Sequence, residues 1–594
     1  MSYKAPVGES EFLLRHCSSL QRLIAAGACG DLSLELAGAV LEQAGRFAGE
    51  VLEPLNTVMD RVGVHLAGGK VATAPGHAAA YRAWAEAGWN AVSAPPEWGG
   101  MGLPLSINTV CLEYWHSACM AFGLGPLLSM GAADAIDTHA TPELKRTYLP
   151  KLVSGEWMAT MNLTEPQAGS DLGALRTRAL PQDDGSYRLF GSKIFITCGD
   201  HDLTDNIVHL VLARLPDAPA GSRGISLFLV PKTLPADDGT PGAANDVRCT
   251  GIEHKLGLHG SPTCSMAFGD REGAVGWLVG APNGGLRAMF TMMNRARLAV
   301  AAQGVAIAEI ATQRAARYAA ERRQGRAPDA GGDEASPIDR HPDVARMLLS
   351  MRSYTEAARG IVLRTADAID RARLEPDPEQ RRAAQEDADL LTPIAKAFAT
   401  DIGVEVASLG IQVHGGMGYV EETGAAQYLR DVRICTIYEG TNGIQAIDLV
   451  ARKLAGGGRA AAARQIAGYE RIAEQVRCSG DESFGATADL LTAAGAALAA
   501  TTDFLDARRA DGGCELLAGA TSYLRLFGLA AGMACLAQAA LAAGHTDDAD
   551  DYRRRVALAR YFAEHHGTAC GGLAEVVLHG GASLAQAMAF SWER

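Results

Sequence analysis

Residues 158–280 are what most limits the folds open to this chain. Short apolar stretches, MATMNLTE, YRLFGSKIFIT, NIVHLVLARL, ISLFLVPK and CSMAFGD, follow one another there, separated by turn-forming runs such as DDGS and DDGTPG. Segments of this length bounded by Asp, Gly and Pro read as β-strands. On both sides the period changes. Before them, LSLELAGAVLEQAGRFAGEVLEPL and YRAWAEAGWNAV carry apolar residues at helical spacing; after them, GLRAMFTMMNRARLAVAAQGVAIAEIATQRAARYAAERR continues without a proline. The order is helices, strands, long helices. It is not the βα alternation of a nucleotide-binding parallel sheet.

A chain of 594 residues is too long for one hydrophobic core. The pattern divides it into an N-terminal extension (1–40), a helical domain (41–157), a β-domain (158–280), a helical bundle domain (281–455) and a further helical region (465–594). Two polar stretches, RAPDAGGDEASP (326–337) and EPDPEQRRAAQEDAD (375–389), read as surface loops, and LAGGGRAAAAR (454–464) as a Gly-rich linker.

The formal charge of −14 argues against a general nucleic-acid binder, which needs a basic surface. The twelve Cys are scattered without a CxxC pair, as free thiols in a reducing compartment would be. His565, His566 and Cys570 form the one cluster resembling metal ligands, and no metal is expected there. The opening MSYKAPVGESEFLLRHC lacks the charged and apolar regions of a secretory signal. LFGLAAGMACLAQAALAAG (526–544) approaches membrane-spanning length, but its small residues and Gln538 suit a buried bundle helix. A cytoplasmic protein without stable membrane insertion is the expectation.

No GxxxxGK[ST], HExxH or complete nucleophile elbow is present, which removes support from P-loop, zinc-protease and serine-hydrolase chemistry. Three other segments are informative. LTEPQAGSDLGAL (163–175) leaves the first strand of the β-domain with Gly and Ser that can offer N–H groups and a hydroxyl to a phosphate or a flavin edge; an ordinary polar turn would look the same. GSKIFITCG (191–199) sets Thr197 on the opposite side of its strand from Ile196. ICTIYEGTNGIQ (434–445) places one carboxylate, Glu439, in an apolar run before a Gly-Thr-Asn-Gly turn. Buried carboxylates are costly, so Glu439 is solvent-facing, paired or working, and the segment alone does not decide which.

Taken in order, TEPQAGSD, F-I-T (195–197), ERRQG (321–325), IQVHGGMG (411–418) and YEGTNGIQ (438–445) resemble the motifs of the acyl-CoA dehydrogenase family over about residues 40–455. SYKAPV, IEHKLGLHGSPTC and YEGTNGIQAIDLV most resemble its larger members with an extra C-terminal helical region, of the 3-methylmercaptopropionyl-CoA type. The resemblance implies a mostly α fold with a central β-domain: an N-terminal helical domain, a β-barrel-like middle domain and a C-terminal four-helix bundle, plus an additional helical domain. It implies FAD-dependent α,β-dehydrogenation of an acyl-CoA, either 3-methylthiopropionyl-CoA or a fatty acyl-CoA. The product is the trans-2-enoyl-CoA, and electrons pass to an electron-transfer flavoprotein. The same fold also serves acyl-CoA oxidases that use oxygen and flavin-containing DNA-associated proteins, the latter disfavoured by the negative charge.

Residue by residue, the resemblance makes Glu439 the base that takes the α-proton. Some relatives carry that base on the first long helix of the bundle, where this chain has Ala296. Thr164, Phe195, Ile196 and Thr197 fall near the isoalloxazine, and Ser170 near the pyrophosphate or the pantetheine. Arg322 falls on the pyrophosphate and Gln324 towards the adenine end. With Gln412, Gly415 and Gly416, Arg322 reaches FAD from a neighbouring subunit, implying a homo-oligomer, most simply a dimer. Thr441 and Asn442 contact FAD on their own side; Asn294 and Arg297 contact CoA; Tyr438 lies beside the acyl chain; Gly440 admits the thioester. Gln167, Phe195, Gln324 and Gly325 depart from the family's frequent residues.

Overall fold

The computed structural model describes residues 3–236, 239–328, 331, 334–509 and 513–590. The DDGTPG turn and the 326–337 stretch therefore lie partly outside the described residues. The chain forms two compact units. One comprises Met1–Ala5, Ala44–Pro104 and Ala118–Ala299; the other comprises Pro6–Gln43, Leu105–Ser117 and Val300–Arg594.

The first unit holds an eight-stranded sheet. Its path runs Val247–Ile252, Thr263–Phe268, Tyr187–Thr197, Ala274–Val279, Ser226–Pro231, Ile207–Ala213 and Met158–Asn162, with Arg178–Pro181 also paired to Tyr187–Thr197. The pairing is antiparallel except for Met158–Asn162, which runs parallel to Ile207–Ala213 with Thr160 opposite His209. IVHLVLA is apolar without alternation because both of its faces are buried. Val208, Leu210 and Leu212 join a core built with Trp157, Tyr148 and Ile136, whereas Val211 and Ala213 join one built with Phe228, Met266 and Phe268.

Five strands in this region escaped the sequence reading: Arg178–Pro181, Thr233–Pro235, Pro241–Ala244, Val247–Ile252 and Ala274–Val279. Each is short, and most interrupt their apolar residues with Gly, Arg or Pro, so their pairing is decided by distant partners. A hairpin, His65–Ala67 with Lys70–Ala72, also lies in the stretch read as wholly helical. Gly68 and Gly69, at φ +58 and +76, supply the two left-handed positions its turn requires.

The second unit is helical. Its long members include the part of Gly285–Glu321 beyond Ala299, then Pro342–Leu374 and Pro378–His414. The backbones of the first and third meet at two glycines: a Cβ on Gly304 would lie 2.3 Å from the Ala399 carbonyl oxygen, and one on Gly403 2.9 Å from that of Gly304.

The expected loop 375–389 is corrected here. Helix Pro378–His414 starts inside it, because Asp377 accepts from the backbone N–H of Glu379 and Gln380 and Pro378 suits the first helical position. The expected linker 454–464 is likewise only a turn. The helix Gly457–Ser479 begins three residues into it, after Gly456 at φ +56.

Beyond the turn, Thr487–Arg509, Ala520–Ala543, Ala549–Phe562 and Ala569–His579 complete the additional helical region. The N-terminal extension docks on it: Glu9 accepts two hydrogen bonds of 2.8 Å from Arg555, whose guanidinium lies 3.7 Å from the Phe12 ring centroid. Arg359, fully buried, bridges Glu113 at 2.8 Å and Glu309 at 2.7 Å. His565 stacks on Tyr561 and His566 on Tyr354, at centroid distances of 4.1 and 4.0 Å.

Among the described residues two helices, Leu105–His139 and Ala520–Ala543, are long and apolar enough to cross a membrane, and 94% and 83% of their most apolar windows are buried within the protein.

Candidate active site

In the first unit the TEPQAGSD loop is tied down by a buried carboxylate that sequence analysis did not single out. Glu165 accepts from Lys193 Nζ at 2.8 Å, from the Thr177 hydroxyl at 2.6 Å, and from the backbone N–H of Arg176 and Thr177 at 2.7 and 3.0 Å. Burial alone would raise its pKa. The Lys193 ammonium and the Thr177 and Arg176 donors outweigh that and hold the carboxyl down to about 2. Glu165 and Ala168 exchange both backbone hydrogen bonds, at 3.0 and 2.9 Å, which closes the turn and leaves Gln167, Gly169 and Ser170 exposed.

The strand Tyr187–Thr197 runs beside this loop, with Ile194 N–H donating to the Thr164 carbonyl at 3.0 Å. Its end is strained. Phe195 and Cys198 both sit in the left-handed region, at φ +60 and +52, where bulky residues are rarely found without a functional reason. The register against Thr263–Phe268 shifts between Cys264 and Met266, so the strand kinks at this point. The kink turns the Phe195 ring outward, 59% exposed, and leaves Thr197 partly open while Ile196 is buried in the sheet core. Thr164, Phe195 and Thr197 thus form one accessible edge. Ile196 contributes only its backbone.

On the helix Gly285–Glu321, Asn294 is exposed and Arg297 is buried. Their side chains are 3.5 Å apart, with the Arg297 guanidinium 5.8 Å from the Phe290 ring centroid. Ala296 between them is buried.

In the second unit Glu439 is itself in the left-handed region, at φ +57, followed by Gly440 at +84. Its Oε2 is shielded from solvent. Three side chains hold this turn. Lys396 Nζ donates to the Gly440 carbonyl at 2.9 Å and to Asn442 Oδ1 at 2.8 Å. Gln445 Nε2 donates to the Glu439 carbonyl at 3.2 Å, and would lie 2.6 Å from any Cβ on Gly440. Thr441 Oγ1 caps the next helix by accepting from Ile444 N–H at 3.1 Å.

Two of the expected contact residues are also engaged by the fold. The Asn442 amide donates to Asp401 at 2.7 Å and Thr400 at 3.0 Å, so its side chain is held in place from within the protein. Tyr438, expected beside an acyl chain, donates its hydroxyl to Gln303 Oε1, and burial pushes its phenol well above the usual range. Gln303 in turn meets His116 Nε2 at 3.4 Å. Tyr438 therefore fixes the residue before Glu439 to the helix Gly285–Glu321. Ile437, on the other side, is 49% exposed.

Lys396 and Gln303 were missed in the sequence, although Lys396 is a lone cation in the apolar run LLTPIAKAFA, a signal that it has a buried partner.

The ERRQG and IQVHGGMG segments end two neighbouring helices of this unit. Tyr318 stacks on His414 at 4.5 Å, which brings Arg322 and the Gly415–Gly416 turn to the same end of the bundle. Arg322, Gln324 and Gln412 are all exposed, and among the described residues the Arg322 guanidinium meets the Gln324 side-chain oxygen, at 3.3 Å. A Cβ on Gly415 or Gly416 would meet nothing within 4 Å. Beside them Met417 and Tyr419 are 51% and 88% exposed, an apolar loop left open on a single chain.

The sequence matches the models of the acyl-CoA dehydrogenase N-terminal domain (37–156), middle domain (160–271) and C-terminal domain (283–455), and of an acetyl-CoA dehydrogenase C-terminal-like domain (465–588). The chain belongs to the acyl-CoA dehydrogenase family. It is 47% identical to the 3-methylmercaptopropionyl-CoA dehydrogenase of Ruegeria pomeroyi over 95% of this chain and 96% of that one. In fold it is similar to Caenorhabditis elegans ACDH-11 in complex with C11-CoA (TM-score 0.77, 18% identity, 95% and 91% of the two chains). It is also similar to the Bacillus anthracis acyl-CoA dehydrogenase complexed with FAD (TM-score 0.74, 22% identity, 94% and 91%).

Proposed function

We propose that the protein dehydrogenates 3-methylthiopropionyl-CoA between Cα and Cβ with FAD bound, giving the trans-2-enoyl-CoA, and that Glu439 takes the α-proton. The observation that carries this reading is the turn at Glu439. The one carboxylate of YEGT is held in a costly left-handed conformation by Lys396, Gln445 and the Tyr438–Gln303 bond, while Ala296 leaves no carboxylate at the alternative seat. Identity of 47% across nearly the whole chain supports the substrate.

An α-proton beside a thioester is weakly acidic, so the base must be strengthened by removal from water. Shielding of Glu439 Oε2 supplies that in part. Gly440, with no side chain and φ +84, lets the thioester approach the backbone beside the base.

The side chains present fit FAD. Phe195 offers an exposed aromatic face flanked by the Thr164 and Thr197 hydroxyls, with Ser170 on the adjoining loop. Arg322 carries a guanidinium whose side-chain partner among the described residues is the neutral Gln324, suited to a pyrophosphate. FAD, when bound, accepts the β-hydride. Asn294 and Arg297 bind the CoA portion, and Thr441 serves the cofactor through its backbone. We assign Arg322, Gln324, Gln412, Gly415 and Gly416 to the FAD of a second copy, so that the exposed Met417 and Tyr419 loop is covered in a homodimer. Electrons pass to an electron-transfer flavoprotein in the cytoplasm.

Anaerobic bleaching of the bound flavin by 3-methylthiopropionyl-CoA and by short-, medium- and long-chain acyl-CoAs tests the reading. Fastest bleaching by the methylthio substrate is expected; bleaching by none of them would end it.

A further inference from the structure

A recess of ≈ 610 Å³ opens within the second unit between the N-terminal extension, the helices Pro342–Leu374 and Pro378–His414, and the C-terminal helices Gly457–Ser479 and Ala520–Ala543. Asp387 on its wall precedes Lys396 by nine residues on one helix, about 13 Å along the axis, which separates the recess from the Glu439 turn. Residues 16–22 on another wall lie outside the matched N-terminal domain.

Its lining is cationic in a protein whose formal charge is −14: five guanidiniums against three carboxylates. Arg22 is neutralised by Glu375 through two hydrogen bonds of 3.1 and 2.6 Å. Arg371 and Arg464 share Asp387, at 3.2 and 2.9 Å, with Arg464 also reaching Glu386 at 3.1 Å. Asp367 accepts from the Ser19 N–H and hydroxyl at 2.7 and 3.1 Å. Two guanidiniums remain without an ion pair among the described residues, although the Asp367 carboxylate lies near enough to act on Arg364. Arg364 donates to the neutral Gln538 side chain at 3.1 Å and lies 5.9 Å from the Tyr469 ring centroid; its Nη1 is buried without an acceptor. Arg471 makes no ion pair among the described residues.

We propose that this recess is a binding site for a small phosphate-bearing anion, held by Arg364 and Arg471 with Arg371 and Arg464 at its flank. The excess of guanidiniums over carboxylates calls for an anion, and the guanidinium fork matches the tetrahedral oxygens of phosphate. The site is independent of the Glu439 reading, since no group in it takes part in the thioester chemistry.

Isothermal titration of the intact purified protein with inorganic phosphate, against chloride at equal ionic strength, is the test. Saturable binding is expected, weakened at least about tenfold in Arg364→Gln and in Arg471→Ser, as loss of one charge-assisted contact implies. Arg471 is exposed, so its substitution keeps the test sound should Arg364→Gln fail to fold. Glycerol phosphate in a parallel arm separates sources. Tighter binding than phosphate assigns the site to a phosphate monoester, and weaker binding assigns it to phosphate itself. The proposal falls if wild type shows no saturable phosphate binding, if both variants bind undiminished, or if succinate binds where phosphate does not.

Discussion

The ammonium of Lys396 donates to the carbonyl oxygen of Gly440, 2.9 Å away and one residue past Glu439. Lys396 is wholly buried, and its second acceptor, Asn442 Oδ1 at 2.8 Å, lies on the same turn. One cation thus fixes both sides of a backbone that would otherwise relax out of the left-handed region. Lys396→Met should leave acyl-CoA affinity near wild type while slowing flavin reduction by about ten- to a hundredfold, the effect of losing charged hydrogen bonds that orient the base. Stopped-flow reduction, read beside an equilibrium acyl-CoA titration, separates the two. An unchanged rate would remove Lys396 from any positioning role.

A second latch works in the first unit. Lys193 and Glu165 are 0% and 4% exposed and 2.8 Å apart, so removing one partner strands the other charge. Lys193→Met should destabilise the protein by about 3–5 kcal/mol and loosen the TEPQAGSD loop, while the double variant Lys193→Met/Glu165→Gln should cost less than the two singles together. Denaturant unfolding with flavin content measured in parallel checks this. Additive effects would mean the pair is not coupled.

Stability should fall steeply in mild acid. Burial pushes His77 down to about 4 and His201 and His209 to about 3, from an ordinary value of 6.5. A depressed histidine stabilises the folded state above its unfolded pKa, and that contribution drains away as pH drops from about 6.5 towards the folded values. The slope is about 1.4 kcal/mol per pH unit for each group. Melting temperatures between pH 7 and 5 should show the decline, shallower in His209→Asn. A flat profile would contradict the burial of these rings.

Much of this was legible in the chain. ICTIYEGTNGIQ named its carboxylate, TEPQAGSD followed directly on a strand, and F-I-T closed a strand long enough to show its period. What was hidden depended on partners far away in sequence. The strand Val247–Ile252 is a strand because Thr263–Phe268 pairs with it, with a register shift between Cys249 and Gly251. Charges in EPDPEQRRAAQEDAD imitated a loop, yet Asp377 and Pro378 wrote a helix start within it. The docking of Glu9 on Arg555 joins residues 546 positions apart, beyond any local pattern. The left-handed backbone of Glu439 was equally invisible, since a non-glycine residue gives no local sign of it.

The role of Glu439 is open to one direct measurement, the rate of anaerobic flavin reduction in Glu439→Gln with saturating 3-methylthiopropionyl-CoA. The variant should retain flavin and bind the acyl-CoA, while reduction slows at least about a thousandfold, near the upper range for acid–base catalysis. Reduction at a rate close to wild type would mean that another group takes the proton.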